Sequence, residues 1–100
     1  MIFVRISRSL FMKFEWDREK ARTNLEKHGV DFREAAQAFF DLHRTEDSDM
    51  REDYGEDRFV TTGRVGRHLL TIVYTERGGS IRLLSARRAS LRERNAYDQS

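Results

Sequence analysis

The chain contains no cysteine, which excludes a disulfide framework, a thiol nucleophile and a thiolate metal site, and fits a reducing cytoplasm. Its three histidines are scattered rather than spaced as ligands, so neither a metal nor another cofactor is expected. No stretch approaches the roughly 18 apolar residues of a membrane span. Arg5 and Arg8 interrupt any signal-peptide core near the start. These absences point to a cytoplasmic protein that is neither secreted nor membrane-bound. There is also no internal repeat and no low-complexity tract, although one acidic stretch is biased in composition.

What the chain does have is charge of both signs, divided by region. Residues 58–94 carry nine arginines, no lysine and two carboxylates, Glu76 and Glu93. Residues 41–57 hold eight carboxylates against two arginines, so the total of +2 conceals +8 on the remainder. Arginine stays ionised and offers a planar fork of donors, so this basic segment suits oriented contacts with phosphate better than mere solubility. A solvated charged surface is the competing explanation. One hundred residues with 38% hydrophobic content suit one soluble domain with one modest core.

Residues 1–11 read as a short strand, a disordered leader or an upstream start ahead of Met12, with the leader or start-site reading preferred; residues 12–100 form the domain. Phe14-Glu15-Trp16 reads as a short strand, after which Asp17 caps a helix to about His28 and Gly29 stops it. Asp31 and Glu34 have capping-box spacing, and Phe32, Ala35, Ala36, Phe39 and Phe40 recur at helical intervals as a core-facing stripe. Residues 41–57 show no period and read as a long loop or mobile segment. Three strands follow, at 58–63, 68–75 and 80–87, with Gly63 and Gly66 bracketing one turn and Gly78-Gly79 forming the other. Ser90 and Glu93 open a short basic helix through Tyr97.

A two-residue Gly78-Gly79 turn pairs Arg77 with Ser80, Thr75 with Arg82 and Val73 with Leu84, because paired residues share a sheet face. Arg77 and Arg82 then lie on one face, while Ile72, Tyr74, Ile81 and Leu83 form the core face. Glu76 falls on the core side unless the turn is longer. Arg87 and Arg88 point to opposite sides, and Arg88 has the parity of Arg82, about 20 Å away at roughly 3.3 Å per residue.

Phe14-Glu15-Trp16-Asp17, Lys20, Asn24, Lys27-His28-Gly29-Val30 and Phe32, followed by Tyr74-Thr75-Glu76-Arg77, Ile81-Arg82, Ser85-Ala86-Arg87-Arg88-Ala89, Glu93-Arg94 and Tyr97, resemble the BrnT family of toxins. The likeness covers residues 12–97. It implies an α+β, RelE-like fold: a small antiparallel sheet of three to four strands, two N-terminal helices and one C-terminal helix. It further implies a type II toxin that cleaves RNA without metal and arrests translation. The expected partners are a BrnA-like antitoxin, operator DNA reached through that antitoxin in autorepression, and a heterotetramer of two toxins and two antitoxins.

Metal-free RNA cleavage requires a base for the 2′-hydroxyl, cations for the phosphorane and an acid for the leaving oxygen. Arg82 is the leading phosphate clamp, with Arg77 beside it and Arg88 or Arg87 holding the strand. Glu76 is the leading base, with an ion pair to a neighbouring arginine as its alternative. Lys20, Asn24 and His28 share one helical face and offer an RNA-contacting stripe or an acid. For Asn24 and His28 the competing reading is a hydrogen-bonded tie between helix end and sheet. Arg64 reaches the substrate backbone from the first turn or is a solvated turn residue, and Trp16 is core rather than a stacking platform. A non-enzymatic nucleic-acid- or protein-binding module is the alternative function, as is a basic face that serves an acidic partner.

Overall fold

The computed structural model describes residues 2–7, 10–49 and 56–99, with side chains from residue 12 onward. Its described strands form one six-stranded sheet in the order β1-β2-β6-β5-β4-β3. The elements are β1 (Ile2–Ser7), β2 (Leu10–Glu15), α1 (Arg18–His28), α2 (Phe32–Ala35), a 3-10 helix (Ala36–Phe40), β3 (Thr45–Ser48), β4 (Phe59–Val65), β5 (His68–Arg77), β6 (Ser80–Arg88) and α3 (Leu91–Asp98).

Helix ends follow the local chemistry of the sequence. The Asp17 carboxylate accepts the Lys20 N–H at 2.9 Å, and Gly29 closes α1 in the left-handed region at φ 70°. Asp31 caps α2 through Arg33 N–H at 2.8 Å, not through the residue three positions on. The helix then tightens into the 3-10 helix after one turn. Ser90 and Glu93 complete a reciprocal capping box at the start of α3.

The sheet is larger than the expected three to four strands, and it is mixed rather than antiparallel. β2 runs parallel to β6, with Phe14 beside Ile81 and Glu15 beside Arg82. That pairing joins segments more than sixty residues apart, so no local pattern announces it. Residues 2–7 and 10–11, within the expected leader, have strand backbone in β1 and β2. The acidic stretch also departs from the loop reading: Thr45–Ser48 adds an edge strand to β4, while residues 50–55 lie outside those described. Backbone pairing to Val60 and Thr61 outweighs the poor strand propensity of Glu46 and Asp47.

One face of the sheet carries the core. Phe14, Ile72, Tyr74 and Leu83 pack there with Val30, Phe32, Ala35, Ala38 and Phe39, all nearly sealed from solvent. Trp16 meets the Phe32 ring edge-on at 5.9 Å, in keeping with its core reading. Gly63 does not bracket a turn. It lies within β4, where a Cβ would stand 2.6 Å from the Ala38 carbonyl oxygen, so glycine is needed for the close approach of the 3-10 helix. Asn24 ties α1 to the sheet: its amide donates to Val30 O (3.1 Å) and Ala86 O (2.8 Å) and accepts Ala86 N–H (3.1 Å).

Candidate active site

The Gly78-Gly79 hairpin has the two-residue form expected, pairing Arg77 with Ser80 and Thr75 with Arg82. Beyond it the register slips. Tyr74 faces Leu83 but Val73 faces Ser85, not Leu84, so Leu84 is the extra residue of a β-bulge. The slip reverses the parity of everything that follows on β6. Arg87, opposite Thr71, joins the face of Arg82; Arg88, opposite Leu70, turns to the core-side face, contrary to the expectation from simple alternation.

Arg64, Arg77, Arg82 and Arg87 consequently share the face away from α1 and α2. Arg82 and Arg87 are about 16 Å apart along β6 at roughly 3.3 Å per residue. Each is oriented by a carboxylate. Arg82 Nη1 donates to Glu15 Oε2 at 2.9 Å, with both side chains about a quarter exposed (25% and 23%). Arg87 forks onto Glu93 at 2.8 and 2.9 Å, and Thr71 donates to the same carboxylate at 3.0 Å. The Arg87 fork, with the Ser90 N–H and the Thr71 hydroxyl, holds the Glu93 carboxyl at about 2 despite its partial burial.

One turn further along α3, the Tyr97 hydroxyl donates to Asp41 at 2.6 Å and its ring lies 5.5 Å beneath the Arg64 guanidinium. Asp41 also accepts the backbone N–H of Arg64 and of His43, at 2.8 and 2.9 Å. Burial pushes the Asp41 carboxyl upward, but the Tyr97 hydroxyl and these two N–H groups outweigh it and leave the carboxyl below its ordinary value. Arg64 and Arg87 are thereby gathered under α3.

Glu76 and Arg77 stand exposed at the hairpin tip on opposite faces. On the core-side face, Glu76 borders a cleft of about 450 Å³ floored by Phe39, Tyr74 and Ile81. Inside it, Tyr74 donates a short hydrogen bond to Glu46 Oε1, and Arg44 bonds the same oxygen and Thr61 Oγ1 at 2.9 Å each, its guanidinium 5.1 Å from the Phe39 ring. The Tyr74 hydroxyl, then Arg44, keep the Glu46 carboxyl ionised below its usual range, while burial and that carboxylate push the Tyr74 phenol up. Sequence reasoning missed Arg44 and Glu46 because they lie in the stretch read as a loop. Tyr74, inside the family-like motif, was the one available signal.

Lys20 and His28 are exposed on α1, on the other side of the sheet from the four arginines, so the structure does not bring them to the basic face. Their helix mate Asn24 is the buried tie described above. Among the described residues, no group of three or more histidine or acidic side chains is placed to hold a metal ion, and no helix is long and apolar enough to cross a membrane.

A protein-family model described as "Ribonuclease toxin, BrnT, of type II toxin-antitoxin system" matches residues 16–93. The chain belongs to the BrnT family. The match spans every arginine of the basic face, the hairpin tip and the cleft triad, and stops short of Glu15 and Tyr97 at its two ends. A comparison with curated proteins returned no match. As a BrnT-family chain, the protein is a ribonuclease toxin of a type II toxin-antitoxin system, which implies an antitoxin partner and an RNA substrate.

Proposed function

We propose that the chain is a metal-independent endoribonuclease of RelE-like architecture, active in the cytoplasm, where it arrests translation by cutting RNA. The observation that carries this reading is the arginine track on one sheet face, assembled from β4, β5 and β6 by the bulge at Leu84. RNA lies along that track. Arg64 and Arg87 hold backbone phosphates near α3, and Arg77 and Arg82 clamp the scissile phosphate at the hairpin tip. Glu76 accepts the proton of the 2′-hydroxyl; the 2′-oxygen attacks phosphorus; the bond to the 5′-oxygen breaks, and that oxygen takes a proton from solvent at the open tip. The products are a 2′,3′-cyclic phosphate and a 5′-hydroxyl. Arg88, on the opposite face, has no part in this track.

A BrnA-like antitoxin neutralises the toxin by covering the same cations, in a complex of two toxins and two antitoxins that represses its own operon through the antitoxin. The carboxylate partners of Arg82 and Arg87 favour a second reading, in which the face is an interaction surface with its arginines fixed for protein contacts. End-labelled RNA incubated with the purified chain in EDTA separates the two. Shortened products at substoichiometric protein, lost in Arg82→Ala, are the expected result. Reversible, salt-sensitive shifts of intact RNA, with unimpaired growth on expression, would raise the binding module to first place.

A further inference from the structure

The cleft on the core-side face is not needed to hold phosphate, yet it is built for recognition. Glu46 spends only Oε1 on Tyr74 and Arg44, so Oε2 accepts no hydrogen bond among the described residues. Arg44 commits only Nη1, leaving Nε and Nη2 as donors without a partner among the described residues. Glu76 adds a second carboxylate at the mouth. The Arg44 guanidinium lies 5.1 Å from the Phe39 ring, and Glu46 accepts from the Tyr74 hydroxyl. The volume, about 450 Å³, falls within the roughly 300–1,000 Å³ of small-ligand sites.

We propose that this cleft is a guanine pocket that selects the nucleotide on the 5′ side of the cut. Bases exposed in single-stranded RNA are read along their Watson–Crick edges. Guanine is the base whose edge presents two adjacent donors, N1–H and the 2-amino group, followed by an acceptor, O6. The free Glu46 oxygen matches the two adjacent donors and the unused guanidinium edge of Arg44 matches O6, while Glu76 is left to the 2′-hydroxyl. Uracil places acceptors on both sides of its single donor, and adenine and cytosine each offer one donor group, so none of them presents two adjacent donors beside an acceptor.

The position of the cleft relative to the arginines supports the same assignment. Only the hairpin tip separates them, and Gly78 and Gly79 are bare there: a Cβ at either position would meet nothing within 4 Å. Gly79 itself lines the cleft. A nucleotide with its base in the cleft therefore has its sugar at Glu76 and its 3′-phosphate across this low ridge, beside Arg77 and Arg82.

The inference rests on the ribonuclease reading, and the test keeps the two apart. The intact ¹⁵N-labelled chain is titrated with 5′-GMP, AMP, CMP and UMP, and cut sites are mapped on an RNA containing every dinucleotide. The expected result is selective GMP binding that shifts the amides of Glu46, Tyr74 and Gly79, with cuts on the 3′ side of guanine. Glu46→Gln should weaken GMP roughly 10- to 100-fold, as for loss of a charge-assisted hydrogen bond, with its fold checked by circular dichroism. Selective GMP binding at the cleft without RNA cleavage keeps the pocket and removes the ribonuclease reading. Equal or absent response to the four nucleotides in the wild-type chain overturns the pocket, whatever the variant does, and leaves the ribonuclease reading standing if RNA is still cut.

Discussion

On one side of the sheet, Phe14, Ile72, Tyr74 and Leu83 are sealed by α1, α2 and the 3-10 helix; on the other, α3 rests on the sheet with none of its residues buried. The first side is held by excluded apolar surface and aromatic edges, such as Phe39 against Tyr74 at 4.9 Å. The second is held by Glu93 on Arg87 and Thr71 and by Tyr97 on Asp41. The difference explains how a small domain keeps an arginine-rich surface in order. Apolar packing fixes the sheet, and carboxylates then aim the guanidinium groups without needing to contribute much stability of their own.

The sharpest test of this division is Arg82→Ala. If Arg82 clamps the phosphorane, RNA cleavage should fall by about 100- to 1,000-fold, while the melting temperature moves little because the ion pair with Glu15 is partly solvated. A gel assay beside a thermal melt reads both. Cleavage near the wild-type level would remove Arg82 from the chemistry, and a collapse of the melt would show that the basic face is structural after all.

Changes on the core side should do the reverse. Asn24→Ala strips three buried hydrogen bonds and leaves the Ala86 N–H and C=O unmatched, at a cost of roughly 3 kcal/mol. Gly63→Ala forces a methyl against the Ala38 carbonyl and should cost about 1–3 kcal/mol. Urea unfolding gives both values, and cleavage normalised to folded protein should stay unchanged. If either variant were as stable as wild type, the proposed link between that backbone contact and the core would be wrong.

How much of this was legible in advance follows from the range of each interaction. Caps at Asp17 and Ser90 and the Gly78-Gly79 turn depend on residues at most three apart, and the sequence shows them. The bulge at Leu84 carries no glycine or proline to mark it, so simple alternation put Arg88 rather than Arg87 on the basic face. The parallel pairing of β2 with β6, the edge strand at Thr45–Ser48 and the contact of Glu46 with Tyr74 all join distant segments, and composition misled where charge suggested a loop. The individual site candidates were therefore readable as chemistry while their division between two faces was not.

The smallest expected effect concerns α3 itself. Glu93 has its carboxyl held at about 2, chiefly by Arg87, against an ordinary value of 4.5. A folded-state value below the unfolded one means that the ionised form stabilises the fold above about pH 4.5, and that this contribution is lost as pH falls toward 2. Glu93→Gln should preserve much of the helix cap and cost less than about 1 kcal/mol at neutral pH, since the pair is partly exposed. Its clearer signature is local. Amide exchange in α3 should quicken while the strands beneath stay protected, and the acid limb of stability between pH 4.5 and 2 should be shallower than in the wild-type chain. Uniform acceleration through sheet and helix alike would mean that α3 and the core unfold as one unit, so that the two faces are not independently held.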